Sequence, residues 1–332
     1  MTAASAPTIP GERECPPKTQ HLAVVGPTAS GKSTLALAAA EVLGDVEIVS
    51  VDSMQVYRGM DIGTAKPTAA EQAAVPHHLI DLADPGEYFS VARFQAEAAA
   101  VIAGIESRGH RALLVGGTGL YFHSVVDGYA LPPGDDVLRT ELEAQAGQEG
   151  GLARLMEELQ ALDPVAAARI LPDNARRIVR ALEVIQQTGR PFSSFGPGVL
   201  QVHGHQLPVR TVGLWIPRPV GARRIEERIG AMIEAGFVDE VARLAGADAG
   251  GLSVTAREAI GYKEILTYLD GTWSLAYARR RIADRTRQLA RRQRVWFRRD
   301  RRIAWIGCDG NSVATLHAVL ATWNRPSVMG DV

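Results

Sequence analysis

The chain has 332 residues, 46% of them apolar and a formal net charge of −1, which allows the core of one large or two modest domains. No run of eighteen apolar residues occurs, so a membrane-spanning helix is excluded by length. Cys15 and Cys308 stand at opposite ends without CxxC or Cys/His spacing, so neither a disulfide framework nor a zinc site is indicated, and a reducing, cytoplasmic setting is expected. The near-neutral total hides an asymmetry. Residues 279–302 carry twelve arginines against Asp284 and Asp300, a local +10 that leaves −11 for the rest and points to a polyanionic partner.

Residues 1–20, rich in Pro, Thr, Ala and Glu without an apolar segment, read as a disordered extension. From His21 strands and helices alternate: "HLAVV" as a strand, "GPTASGKS" as a loop, "TLALAAAEVL" as a helix stopped by Gly44, and "VEIVSVD" as the next strand. "HHLIDL" follows as a short strand, then a helix capped by Ser90 and ended at Gly109, then the strand "RALLVGG". This alternation over 21–125 predicts a P-loop α/β core with a doubly wound parallel sheet, its ligands at the carboxyl ends of the strands.

Residues 126–200 carry no strand signal. "LRTELEAQA", "GLARLMEELQAL", "DPVAAARIL" and "NARRIVRALEVIQQTG" predict an all-helical insertion, the last helix capped by Asn174 and stopped by Gly189. Over 201–305 a polar connection leads to the strand "VRTVGLWIP" and to helices that include "AREAIGYKEILTYLDG" and a long run from Leu275 to Arg299. In that run Ile282, Leu289 and Trp296 recur every seven residues, while Arg280, Arg287, Arg291, Arg294 and Arg298 take another face. Residues 306–332 read as a C-terminal tail.

Gly26-Pro27-Thr28-Ala29-Ser30-Gly31-Lys32-Ser33 matches G-x-x-x-x-G-K-[ST] between a strand and a helix. Its backbone N–H groups would converge on a di- or triphosphate, with Lys32 as a point charge and Ser33 able to hold Mg²⁺. Asp52 ends the next strand and admits two readings: the metal-holding acid of nucleotide hydrolases, or a carboxylate facing a second substrate. "RALLVGG" runs into Gly116-Gly117-Thr118 instead of an acid, so the accessories of ordinary hydrolases are lacking. Tyr57, Lys66, Tyr121 and Phe122 are candidates for lining the site or bracing it, with core packing favoured for the aromatics. His77, His78, His203 and His205 lack a Cys or acid at ligand spacing and read as structural.

"GPTASGKS", "VDSMQVYRGMDIGTAKP", "PHHLIDL.DP", "LLVGGTGLYF", "RRIVRALEV" and "AREAIGYKE", in this order from about His21 to Arg299, closely resemble the tRNA dimethylallyltransferases. The resemblance implies dimethylallyl diphosphate as donor. The acceptor it implies is N6 of the adenosine at tRNA position 37, beside the anticodon, in tRNAs reading codons that begin with U. It implies Asp52 as general base, Arg257 near the diphosphate with Lys32, and tRNA contacts at Asp52, Ser53, Met54, Gln55, Thr118, Arg139 and Arg176-Arg177-Ile178-Val179-Arg180. Mg²⁺ is the expected cofactor, the anticodon stem-loop the partner, and the expected state a cytoplasmic monomer of the compact bacterial type, since a tail with one Cys and one His cannot make a four-ligand zinc finger. Three rival readings are an adenylate isopentenyltransferase acting on free AMP, ADP or ATP, a small-molecule kinase, and a non-catalytic RNA-binding P-loop protein. The helical insertion and the Arg-rich helix disfavour the first; the "VDSMQVY" context disfavours the second; Asp52 and Arg257 disfavour the third.

Overall fold

Six strands pair in parallel in the order β3-β2-β4-β1-β5-β6: β1 (His21–Val25), β2 (Val46–Val51), β3 (His77–His78), β4 (Arg111–Gly116), β5 (Val209–Trp215) and β6 (Ala304–Gly307). They belong to a computed structural model that describes residues 20–129, 131–132, 134–195, 207–246, 251–308 and 312–324. Side chains alternate across the sheet and divide the core in two. Leu22, Val24, Ile48, Leu113 and Leu214 face α1 (Lys32–Leu43) and α14 (Ser312–Trp323). Ala23, Val25, Val49, Val51 and Leu114 share the opposite core with Phe94, Ala98, Ile102 and Ile105 of α3 (Val91–Ser107). Strands buried on both faces are near-continuously apolar, which is why "HLAVV" and "ALLVG" show no polar alternation.

Between β2 and β3 the chain passes through α2 (Ala69–Ala74), and after β4 comes α4 (Gly119–Val126). The insertion is helical, as expected: α5 (Asp136–Ala146), α6 (Gly151–Leu162), the single turn α7 (Pro164–Ala167) and α8 (Ala175–Thr188). These helices enclose a core of their own, with Leu142, Leu155, Leu159, Ile178, Val179 and Leu182 at its centre. Asn174 caps α8 by accepting the Arg177 N–H, and Gly189 ends it in the left-handed region. The chain then returns through β5 to α9 (Arg218–Glu234), α10 (Phe237–Ala245), α11 (Val254–Arg257), α12 (Tyr262–Leu269) and the Arg-rich α13 (Leu275–Phe297).

Two elements differ from expectation. "AREAIGYKEILTYLDG" is not one helix, because the chain breaks between α11 and α12 at Gly261, whose φ of 100° no helix accommodates. The segment 306–332, read as a tail, holds the end of β6 and the whole of α14, and Val319 and Trp323 pack into the core beside Ala36 and Ala39. A four-residue strand and an Ala-rich helix carry too little period to be told from a tail. Cys15, His203 and His205 lie outside the described residues.

Candidate active site

Val25 and Val51 both pair with Gly116, one from each side, so β4 lies between β1 and β2. Whatever follows these three strands therefore emerges at one sheet edge. The phosphate loop follows β1, Asp52 follows β2, and Gly117-Thr118 follow β4. A cavity of about 540 Å³ opens at that edge, and Thr28, Lys32, Ser33, Asp52, Ser53, Met54, Gln55 and Thr118 all line it. Of the phosphate loop, Ala29 sits in the left-handed region (φ 62°), a conformation costing a residue with a Cβ about 1–2 kcal/mol and typical of strained functional loops.

The electrostatics of the cavity centre on Asp52. Its Oδ1 accepts the Met54 N–H (2.9 Å), and Thr118 Oγ1 accepts the Ser53 N–H (3.2 Å), which ties the acid's own turn to the β4 edge. Burial pushes the Lys32 ammonium down to about 8; the negative charge of Asp52 opposes this, and Arg228 adds to it. Burial likewise lowers Arg228, a cavity-lining side chain of α9, again opposed by Asp52. Two cations thus flank one carboxylate in a partly dehydrated cleft. Such an arrangement has charge to spare for an anion.

The far wall is α13. Gln293 Oε1 accepts the Thr28 N–H (2.8 Å) and its Nε2 donates to the Gly117 carbonyl (3.0 Å), bridging phosphate loop and β4 turn. This approach explains the glycines of "GGTG": a Cβ on Gly117 would overlap the Gln293 amide, and one on Gly119 would overlap the Trp296 ring. Arg285 and Arg292 of α13 also line the cavity, as does Glu258 in the break before α12.

Gln55 lines the cavity with its amide already committed, since Oε1 accepts from Ser50 Oγ (2.8 Å) and Nε2 donates to the carbonyls of Thr64 and Ala65. The same 61–65 loop is held from behind by Glu240 of α10, whose buried carboxylate accepts the N–H groups of Asp61, Ile62 and Gly63 (3.0, 2.7 and 3.1 Å) and the Tyr262 hydroxyl (2.6 Å). Lys66 braces the start of this region through the Tyr57 carbonyl, Asp61 and Asp81. Tyr57, Tyr121 and Phe122 are buried, as core packing requires. His78 Nε2 contacts the buried Glu47, and His77 Nδ1 the Val75 carbonyl, both structural roles.

The insertion contributes unequally. Arg176 and Arg177 are exposed, and the charges of Arg176 and Asp52 are both felt at the buried Tyr121 hydroxyl. Ile178 and Val179 are in the insertion core and offer no surface to a partner. Arg139 is buried, stacked over Tyr88 with its guanidinium carbon 3.3 Å from the ring centroid and bonded to Asp136. Arg180 is half-buried and bonds the Pro132 carbonyl and Glu183. Arg257 is exposed at the end of α11 and does not line the cavity; its charge acts on Asp270. Arg228 of α9 lines the cavity instead, and of the segment around Arg257 only the following residues, Glu258 to Tyr262, reach it. The residues missed in the sequence are Arg228, Glu240 and Gln293. Arg224 and Arg228, one turn apart beside the apolar Ile225 and Ile229, were the available signal for the first.

The chain is similar to known proteins along most of its length. The IPP transferase family matches residues 55–300. A protein of Geobacter metallireducens named tRNA dimethylallyltransferase is 49% identical over 315 residues, covering 92% of this chain and 98% of its own. The crystal structure of the full-length tRNA isopentenylpyrophosphate transferase of Bacillus halodurans superposes with a TM-score of 0.65 at 39% identity, over 92% of this chain and 97% of that one. A eukaryotic dimethylallyltransferase captured acting on tRNA gives 0.75 at 25% identity, over 93% and 81%. With a family match spanning most of the chain and near-full-length relatives at this identity, the protein belongs to the IPP transferase family.

Proposed function

We propose that the protein transfers the dimethylallyl group of dimethylallyl diphosphate to N6 of adenosine 37 of tRNA, beside the anticodon, in tRNAs reading codons that begin with U. The observation that carries this reading is Asp52 at the shared edge of the phosphate loop and the β4 turn, flanked by Lys32 and Arg228 in one cavity. A carboxylate there can take a proton from an acceptor while the cations receive a diphosphate.

In the step we envisage, the N6 lone pair forms a bond to C1 of the dimethylallyl group as the C1–O bond to the diphosphate breaks. The electron pair of that bond leaves with the diphosphate, and the N6 proton passes to Asp52. An aromatic amine is a weak nucleophile, so the rate must come from positioning, leaving-group stabilisation and proton removal. The loop N–H groups, Lys32 and Arg228 hold the leaving group. Thr118, whose hydroxyl donates only a long 3.5 Å bond to Ser53 Oγ, faces the acceptor base, while Gln55 acts by fixing the 64–65 turn. A stacked adenine could not reach this cleft, so the base must be flipped out of the loop. Exposed Arg176 and Arg177 are the insertion's contacts to the RNA backbone.

Mg²⁺ fits as a ligand of the substrate more than of the protein. No cluster of three or more His, Cys, Asp or Glu able to hold a metal occurs among the described residues, whereas Mg²⁺ characteristically takes one or two protein groups plus phosphate oxygens and water. Ser33, exposed and cavity-lining, would supply its hydroxyl. Bound there, the ion would neutralise charge on the departing diphosphate. One chain provides every residue invoked, which supports a monomer as the working unit. The tRNA substrate supports a cytoplasmic location, and no helix among the described residues is long and apolar enough to cross a membrane.

The test offers labelled dimethylallyl diphosphate and Mg²⁺ with three acceptors in parallel: an anticodon stem-loop with adenosine at the target position, the same stem-loop with guanosine there, and free AMP. Label on the adenosine stem-loop alone is the expected result. Label on AMP would assign the chain to small-molecule prenylation, and label on none would remove the transferase reading.

A further inference from the structure

A second cavity, of about 490 Å³, lies between α9 and α13. Thr28 of the phosphate loop and Ile225 line both cavities, and consecutive residues of α13 divide between them: Arg292 and Gln293 face the first, Arg291 and Arg294 the second. The side chains around the second cavity are strongly cationic. Arg287, Arg291, Arg294 and Arg298 follow one another at spacings of four, three and four, one face of a helix, and Arg218 joins them from α9. No acidic side chain lines it among the described residues.

Arg287 is neutralised by Glu226 (2.9 Å) and Asp284 (2.7 Å). Arg294 is not. Its Nε is buried without a hydrogen-bond partner, and its Nη2 lies close over Gly221 of α9. Burial and the like charges of Arg218 and Arg298 work against its ionised form. Like charges gathered around a partly dehydrated cleft repel one another unless an anion enters. A solubilising helix face would mix signs to gain pairs; this one lines the cleft against α9 with a single sign, Arg294 half-buried and Arg218, Arg291 and Arg298 exposed.

We infer that this cavity is a second phosphate-binding site, a station for free diphosphate one wall away from the phosphate loop. The inference rests on the proposed transfer reaction for the origin of the diphosphate, though not for its binding. A diphosphate concentrates several negative charges where an RNA phosphodiester carries one, and it is the better match to four arginines with no acid of their own. Thr28 makes the two sites neighbours, and Gln293, bonded to the Thr28 N–H, forms part of the wall between them.

The experiment is a calorimetric titration with sodium diphosphate in the absence of Mg²⁺, on the full chain. Lys32→Ala weakens the phosphate-loop site and is expected to leave a remaining class of diphosphate binding. Adding Arg294→Gln or, separately, the exposed Arg298→Gln to that background is expected to weaken the remaining class about tenfold or more. Arg298→Gln guards against misfolding of the Arg294 variant. Loss of all diphosphate binding in Lys32→Ala, or a remaining class indifferent to both arginine substitutions, overturns the proposal. So does a set of arginine variants that bind diphosphate normally and lose only affinity for an anticodon stem-loop, which would assign the cluster to RNA backbone phosphate. Since diphosphate binding is read without transfer, a protein that fails the transfer assay yet retains this second class would refute the proposed function alone.

Discussion

Glu240 carries a prediction that follows from geometry alone. Its two carboxylate oxygens accept four hydrogen bonds, three from consecutive backbone N–H groups at 61–63 and one from Tyr262. Glu240→Gln preserves shape but turns an NH₂ toward groups that are themselves donors. Whichever way the amide lies, at least one part-buried N–H loses its acceptor, a cost of about 1–3 kcal/mol. Glu240→Ala removes every acceptor and costs roughly 3–5 kcal/mol, short of a typical domain's stability of about 5–15 kcal/mol. Because the loop presents Gly63, Thr64 and Ala65 to the cavity, its release also misplaces the reacting groups, and transfer falls by about 10–100-fold in the Gln variant. Urea midpoints and single-turnover transfer measure the two effects. A Gln variant within about 0.5 kcal/mol of the parent and fully active would refute the assignment.

Arg228→Gln should lower affinity for diphosphate and slow transfer, whereas Arg257→Gln should leave diphosphate affinity unchanged; a titration of both variants with diphosphate checks this, and the reverse ranking would restore Arg257 to the site. Lys32 gives a pH signature. Its ammonium is lowered from its usual 10.5 to about 8 in the free protein, and a bound diphosphate stabilises the charged form. Affinity should therefore be flat below pH 8 and fall about tenfold per unit above it, with proton uptake on binding. Lys32→Arg, charged throughout, should lose that dependence, and the difference between the two proteins cancels the ligand's own titration. The same shift makes Lys32 a destabilising group in the free fold below pH 8, relieved as pH rises toward the value of an unfolded chain.

The sheet and the phosphate loop were legible because their signals are local: five or six apolar residues, then glycines and a Lys-Ser pair at fixed spacing. Asp52 could be found for the same reason, as the residue ending a buried strand. The helical insertion was readable from caps such as Asn174 and Gly189. What escaped depends on contacts between distant segments. Gln293 lies 265 residues from its partner Thr28, and Glu240 lies 177–179 from the loop it binds, so neither spacing nor period could link them. Arg257 and Arg228 show the converse: both are arginines on helices, yet α9 lines the cavity and α11 does not, a difference that only the tertiary packing sets. Ile178 and Val179 sit within a run of arginines, yet helical period places them on the buried face.

Proton transfer to Asp52 is the step on which the proposed reaction most depends. Asp52→Asn keeps an oxygen for the Met54 N–H, so the turn should persist. Single-turnover transfer to the adenosine stem-loop, with both substrates saturating, is predicted to fall by about 10²–10⁴ while stem-loop affinity is little changed. A variant that transfers at the parent's rate once donor is saturating would remove Asp52 as the proton acceptor and move it to a donor- or metal-binding role.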